Sequence, residues 1–161
     1  MAASKTFSQE IESPVAPARL FKALCLEHHV LFPKLMPDSF ASIEFVEGDS
    51  VKVGSIQQLN FPEGYHFKYV KHKIDELDVD NFYCKYTTID GDVLQGKNKF
   101  VVNETKFDAT ATGSICKMTT EFHPVEGVEI NEEGVKFGQE KMKKMFKIVE
   151  EYLVANPEVY A

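Results

Sequence analysis

Five histidines are the side chains best suited to acid–base chemistry in this sequence, because an imidazole titrates near neutral pH. His28 and His29 are adjacent on a predicted short helix, and Lys34 follows one or two turns later. His72 lies on a predicted strand that also carries Tyr69. No His-x-His or His-x-x-x-His spacing occurs, so a metal site is not supported. We expect an exposed His28 and a partly buried His72, and we assign no catalytic residue.

Three cysteines, Cys25, Cys84 and Cys116, are the other reactive side chains. Their number is odd, and their spacing fits neither a disulfide framework nor a metal site. Buried free cysteines behave as small hydrophobic residues, which suits a chain kept in a reducing compartment. We therefore expect free buried thiols, no metal and no cofactor.

The formal net charge of -7 disfavours nucleic acid as a partner, since an acidic protein repels phosphate. The main basic cluster, Lys141, Lys143 and Lys144, lies beside acidic residues on a predicted helix and is interpreted as a solvated face. No segment has the length of a membrane-spanning helix, and the first residues lack the apolar stretch of a signal peptide. A cytosolic location with no membrane partner is therefore expected.

The pattern of apolar residues predicts the strands and helices that carry these histidines and cysteines. All of them belong to one predicted domain, residues 1–161. Period-two alternation predicts strands over 5–12, 39–47, 55–61, 66–74, 82–88, 97–110 and 114–123. Turn-forming breaks between successive strands favour an antiparallel meander. Short helices are predicted over 17–24 and 27–35, and Asn131 caps a long amphipathic helix that ends at Asn156. The fold class is therefore α+β, with a curved antiparallel sheet around the C-terminal helix.

Assigning charged residues to solvent decides which side chains of each strand face the helix. The inward set mixes apolar and polar residues: Leu59, Phe61, Phe67, Tyr69, Phe82, Cys84, Tyr86, Val101, Asn103, Thr105, Phe107, Cys116, Met118, Thr120 and Phe122. A closed core tends to avoid such polar groups, because burying one without a partner costs stability. The side of the long helix that faces the sheet carries Gly138, Met142 and Met145. Glycine weakens a helix and methionine adapts to many packing arrangements, so these residues do not define a tightly packed core. An internal cavity with a few orienting polar groups is favoured over a packed core.

Six short segments of the chain stand out as a set: SPVAPARLFKAL (13–24), LFPK (31–34), FPEG (61–64), KYVK (68–71), GDVL (91–94) and EEYLVANP (150–157). In this order and spacing they resemble plant class-10 pathogenesis-related proteins, the birch-pollen-allergen family. The resemblance covers essentially the whole chain. The segment NFYCKYT (81–87) and the ending NPEVYA resemble the branch that includes the phenolic-coupling-type protein of St John's wort.

The resemblance implies a helix-grip fold, in which a seven-stranded antiparallel sheet grips the long helix and two short helices close one end. It implies a plant defence protein, a monomer or weak dimer, that stores or transports small hydrophobic molecules in an internal cavity. Flavonoids, cytokinins, other phytohormones and sterol-like compounds are the ligand classes. Carried over position by position, the cavity wall comprises Leu24, His29, Phe32, Leu59, Phe61, Phe67, Tyr69, Cys84, Tyr86, Val101, Asn103, Phe122, Gly138, Gln139 and Met142.

The loop over residues 47–55 departs from the resemblance. The family's loop is rich in glycine, whereas this one keeps only Gly48 and Gly54 and is one residue longer. Backbone amides cradle phosphate only where the chain approaches closely, which repeated glycine permits. We therefore expect this loop to be a plain hairpin that does not bind a nucleotide.

Two further activities found in the family or its distant relatives are disfavoured by the residues present. For ribonuclease activity, Gln57 or Gln58 stands in place of a lysine and Lys99 in place of a glutamate. For abscisic-acid reception coupled to phosphatase inhibition, the loop at 62–64 is too tight to close over a pocket, and residues 124–129 lack the receptor signature.

An enzyme of specialised metabolism that uses the same cavity is the alternative to a carrier. The family's amine–aldehyde condensing branch uses a tyrosine, a glutamate and a lysine, which correspond here to Tyr69, Lys71 and Tyr83. A cation replaces the acid and the lysine is lost, so the groups for proton transfer are missing. Another reaction in this cavity would depend on Tyr69 or His29.

Overall fold

The computed structural model describes residues 3–161, apart from the side chain of Val93, so Met1 and Ala2 lie outside the described residues. The strands are β1 (Lys5–Ser13), β2 (Ser42–Glu47), β3 (Ile56–Asn60), β4 (Tyr69–Asp78), β5 (Tyr83–Gly91), β6 (Asn98–Thr110) and β7 (Gly113–Pro124). The helices are α1 (Pro17–Phe21), which continues in a π-helical turn (Lys22–Leu26), α2 (His28–Leu35) and α3 (Glu132–Ala155). A single 3-10 turn (Asp92–Leu94) separates β5 from β6.

All seven strands form one antiparallel sheet in the order β1-β7-β6-β5-β4-β3-β2. Successive strands from β2 to β7 pair as hairpins, and β1 pairs with β7, so that β1 and β2 are the edges. The predicted α+β fold, a seven-stranded sheet with a long C-terminal helix and two short helices, is confirmed.

Strand β4 lies further along the chain than predicted. It begins at Tyr69 rather than at residue 66, because aromatic rings in the preceding loop stack on one another: Phe61 on Tyr65 at 4.9 Å between ring centres, and Tyr65 on His66 at 4.4 Å. Two bulges then interrupt its pairing with β5. Gly91 (φ +125°) fits beside the start of β4, where a Cβ would lie 2.5 Å from the Tyr69 carbonyl oxygen.

The most tightly packed part of the molecule lies under the C-terminal half of α3. In that half Phe146, Val149 and Leu153 are fully buried. They belong to one apolar cluster with residues of the short helices and of the sheet: Leu20, Phe21, Ala23, Leu31, Ile11, Phe107 and Cys116. This cluster anchors α3 at one end of the concave face of the sheet.

Both ends of α3 are capped. The side chain of Asn131 accepts hydrogen bonds from backbone amides of the first turn, as predicted. At the other end, the guanidinium of Arg19, from α1, donates to the carbonyl oxygens of Leu153 (3.0 Å), Asn156 (2.9 Å) and Val159 (2.8 Å). A helix end leaves carbonyls such as that of Leu153 without partners, and Asn156 and Val159 belong to the C-cap and the turn after it, so Arg19 ties α1 to the end of α3.

Candidate ligand-binding site

The concave face of the sheet carries rows of paired side chains that mix apolar and polar groups. Cross-strand pairing places Tyr86 opposite Asn103, and Asn103 opposite Thr120. The rows on either side contribute Cys84, Thr105 and Met118, and Thr88, Val101 and Phe122. The register predicted for β5, β6 and β7 is therefore confirmed.

The N-terminal half of α3 does not fill this concave face. The fully buried residues of α3 all lie at or after Phe146. Gly138 shares a helix stripe with Met142 and the buried Val149, yet a Cβ at Gly138 would have no atom within 4 Å. The central rows of the sheet opposite are only half-buried. Gly138 is itself exposed, so protein atoms do not fill the space next to it, between this half of α3 and the sheet.

Polar contacts connect α3 to the walls on both sides of this space. At β1, Gln9 Nε2 donates to the Gln139 carbonyl oxygen (3.3 Å), and Gln139 Nε2 donates to the Ser8 carbonyl oxygen (3.4 Å). On the opposite side, Lys141 Nζ lies 4.1 Å from the centre of the Tyr65 ring, a cation–π contact with the β3–β4 loop. The predicted wall residue Gln139 thus lies at the β1 side.

Aromatic residues of α2 and the β3–β4 loop are connected by a series of ring contacts. Phe32 contacts Phe40 (5.3 Å between ring centres), Phe40 contacts Phe61 (6.0 Å), and Phe61 contacts Phe67 (6.4 Å). On the same helix His29 Nδ1 is buried without a partner. The structure therefore brings together the predicted wall residues on these two elements.

A buried polar cluster joins α2 to the sheet. His28 Nε2 lies 2.8 Å from Gln57 Oε1, so the prediction of an exposed His28 is wrong. His72 is paired with Gln57 across β3 and β4, and its ring centre lies 4.6 Å from that of Tyr86. Burial lowers the pKa of His28 to about 4 and that of His72 to about 3, so both imidazoles are neutral at neutral pH.

Sequence reasoning missed Gln57 as an inward residue, although a signal was present. Gln57 and the predicted wall residue Leu59 are two positions apart on β3, so they face the same side of the sheet. Both are almost completely buried. His72 was expected to be partly buried, and it is.

Tyr69 does not belong to this site, and its inward assignment is wrong. Leu59 pairs with the buried Val70, so Tyr69 points to the opposite, convex face. There its hydroxyl donates to Asp90 Oδ2 (3.4 Å), and the negative charge of Asp90 raises the pKa of Tyr69. The prediction continued a strand alternation from Phe67, but Phe67 lies in the loop before β4 begins.

A comparison with known protein families identifies the family of this chain, and the match extends over nearly its whole length. The profile of the "Pathogenesis-related protein Bet v 1 family" matches residues 2–156. The chain belongs to the Bet v 1 family. Its sequence is 44% identical over 156 residues to the major strawberry allergen Fra a 1.04 of Fragaria ananassa, covering 96% of this chain and 97% of the relative. The resemblance seen in the short segments is thereby confirmed.

Solved structures of Bet v 1-like proteins superpose on the chain. Ara h 8.0201 does so with a TM-score of 0.85 and 34% identity, over 96% of this chain and 100% of that one. Norcoclaurine synthase from Thalictrum flavum, in complex with dopamine and hydroxybenzaldehyde, gives a TM-score of 0.74 over 96% of this chain and 88% of that one. Its identity is 19%, so this likeness shows the shared fold alone.

In this Bet v 1 family member the three cysteines are free and buried, as predicted. The neighbouring Cys84 thiol, together with burial, raises the pKa of Cys25 well above its usual range. Burial raises the pKa of Cys116 to about 12. Cys25 and Cys116 are therefore held as thiols, which are poor nucleophiles.

Several ion pairs of this Bet v 1 family protein lie on the convex face and at the rim of the sheet. Examples are Lys71 with Asp90 (3.9 Å) and Lys85 with Glu104 (3.9 Å). At the rim, Lys5 pairs with Glu132 at the start of α3 (3.6 Å). Within residues 3–161 no three metal-binding side chains cluster, and no helix combines the length and apolar character needed to cross a membrane.

Two surface grooves lie apart from the concave face. One, of about 450 Å³, follows the outer side of α3 beside Lys143 and Lys147. The other, of about 500 Å³, lies between Lys5 and the β7–α3 loop. Neither is lined by a residue predicted for the cavity wall.

Proposed function

We propose that the chain is a cytosolic, defence-related carrier that reversibly binds small hydrophobic molecules between the N-terminal half of α3 and the concave face of the sheet. Flavonoids, cytokinins, other phytohormones and sterol-like metabolites are the expected ligand classes. The observation that carries this proposal is the exposed Gly138, where an added Cβ would meet no atom within 4 Å, opposite half-buried rows of the sheet. Ligand binding there would be driven by burial of apolar surface, and the site would orient its guest through Tyr86, Asn103, His29 or Gln139.

A carrier is favoured over a condensing enzyme by the positions of the groups that such chemistry would use. Tyr69 and Lys71 both contact Asp90 on the convex face, away from the proposed site. The Tyr83 hydroxyl donates to Glu76 Oε2 (3.3 Å), near the end of β4, so it is already engaged with another side chain. Proton transfer to a bound substrate requires groups within hydrogen-bonding reach of it.

Uptake of a neutral fluorescent dye, Nile red, tests the proposal directly. We expect the purified chain to take up the dye and to release it when naringenin, a cytokinin, abscisic acid or a brassinosteroid is added. Met142→Trp should lower the affinity of dye and competitors, because the indole would occupy the space beneath α3. Lys143→Trp is the matched control, since Lys143 is the exposed next residue on the same helix. Absence of uptake by the unmodified chain would show that the interior is closed and the proposal is wrong.

A further inference from the structure

The middle of α3 carries a concentration of positive charge in an otherwise acidic chain. Between residues 136 and 147, a stretch that we call the basic band, five lysines accompany a single acid, Glu140. The band therefore has a net charge of +4, whereas the whole chain has -7. Its lysines are Lys136, Lys141, Lys143, Lys144 and Lys147.

The acidic residues near the two ends of α3 do not neutralise the basic band. Glu132 pairs with Lys5 (3.6 Å), and Glu150, whose side chain is only 12% exposed, pairs with Lys147 (3.3 Å). The other two acids near the helix ends lie at least about 10 Å along the axis from Lys144, and exposed charges are largely screened over that distance in physiological salt. Sequence alone favoured a solvated face because acids adjoin the lysines, but the folded helix keeps the two signs of charge apart.

Apolar side chains accompany the lysines on the outer side of the helix. Phe137 is 65% exposed and Ile148 is 41% exposed. Phe137, Lys144 and Ile148 are seven and then four positions apart, so they follow one line along the helix surface. The groove described above is lined by the same Ile148 and by three lysines, whose stems are apolar up to the ammonium group. Ammonium and apolar groups are thus interleaved on one exposed side of α3.

Charge complementarity calls for an anionic partner, and the apolar side chains favour one kind. A phospholipid bilayer takes up both groups, because lysine pairs with anionic head groups while phenylalanine enters the boundary between head groups and acyl chains. A nucleic acid would engage the lysines through its phosphates but would leave Phe137 and Ile148 beside a charged backbone. Binding at a membrane surface needs no spanning helix, so the lack of one within residues 3–161 does not bear on it.

We infer that the outer side of α3 docks on anionic phospholipid membranes, with the lysines of the basic band against the head groups and Phe137 in the interface. Each lysine close to such a surface raises the affinity about five-fold. Burial of the exposed part of the Phe137 ring raises it about ten-fold. Docking needs no ligand in the interior, so it is independent of the proposed function.

Sedimentation with lipid vesicles measures the docking of the unmodified chain. We expect binding to vesicles of seven parts phosphatidylcholine to three parts phosphatidylserine, at least about ten-fold more tightly than to phosphatidylcholine alone. Raising the salt concentration from about 0.1 M to about 0.5 M should weaken it. Lys136→Gln/Lys144→Gln should lower the affinity about 30-fold. Lys52→Gln/Lys73→Gln, the matched control at two exposed positions outside α3, removes the same charge and should change it less than about two-fold.

Fluorescence locates the contact, because the chain contains no tryptophan. Phe137→Trp introduces a single reporter, whose emission should shift to shorter wavelength with phosphatidylserine vesicles and be quenched by lipids brominated on their acyl chains. Val79→Trp, at a 51% exposed position in the turn between β4 and β5, is the matched control and should show neither effect. Phe137→Ala should bind the same vesicles about ten-fold more weakly.

Four results would overturn the inference: equal binding to both kinds of vesicle, equal losses from the two lysine pairs, an unshifted tryptophan at position 137, or tighter binding to duplex DNA than to phosphatidylserine vesicles. The second would show that net charge alone governs binding, and the last that the lysines serve a nucleic acid. Uptake of Nile red without vesicles tests the carrier separately, so failure of docking would leave the proposed function standing.

Discussion

Acidification between pH 7 and pH 5 should destabilise the protein through the imidazoles of His28 and His72, which the fold keeps neutral. In the unfolded chain both take up protons near pH 6.5, whereas the folded chain keeps His28 neutral to about pH 4 and His72 to about pH 3. Over this interval the unfolded state binds more protons, so the free energy of unfolding decreases as the pH falls. Lowering the pH from 7 to 5 removes about 2 kcal/mol per imidazole, or about 4 kcal/mol for the pair.

Urea unfolding followed by circular dichroism at pH 7, 6 and 5, at constant ionic strength, measures this loss. Most carboxylates titrate below pH 5, so the imidazoles dominate the interval. His72→Phe should remove about half of the pH dependence, whereas His66→Gln, at an exposed position, should leave it unchanged. The reasoning is refuted if the unmodified chain loses less than about 1 kcal/mol, or if both variants behave alike.

Three further changes test contacts described above by urea unfolding at pH 7. Arg19→Leu should lower the free energy of unfolding by about 3 kcal/mol, because charged hydrogen bonds to carbonyls at the end of α3 are lost; a loss below about 0.5 kcal/mol would contradict the clamp. Gly113→Ala should cost at least about 2 kcal/mol, since its Cβ would lie 2.2 Å from the Ser13 carbonyl oxygen. Gly54→Ala, which meets no atom within 4 Å, should cost about 1 kcal/mol, and equal losses would refute the steric explanation. Asn131→Ala should cost about 1 kcal/mol and Asn131→Asp almost nothing; a similar loss for both would argue against capping.

Much of the fold was predictable because the strands alternate cleanly and the long helix has a distinct cap and stop. The prediction for Tyr69 failed for a physical reason: the loop before it is held by stacked rings, so the alternation carried from Phe67 does not continue into β4. The polar cluster was not predictable as a unit. It forms only when α2 docks His28 against Gln57, a contact between residues 29 positions apart that no local pattern encodes.

The ligand-binding residues themselves remain a prediction. Their agreement with the geometry is strongest on β5 and β6, where the outward charges Lys85 and Glu104 fix the register. It is weakest around the β3–β4 loop, because residues outside a strand do not alternate between the two faces of the sheet. Glycine and methionine on α3 indicated weak packing, which is why Gly138 could be identified from sequence.

The pairing of β1 with β7 has a consequence for how the protein is made. Gln9 of β1 and Met118 of β7 lie on neighbouring strands but are 109 positions apart in the sequence. During synthesis β1 therefore cannot pair until most of the chain, including β7, has left the ribosome. Helix α3 emerges later still, and it covers the concave face together with the short helices α1 and α2. Until then the nascent chain exposes an apolar sheet surface and an unpaired strand edge, both of which invite aggregation. The interior is thus the last part of the molecule to be enclosed, and a small molecule present during synthesis would meet it before the helix does.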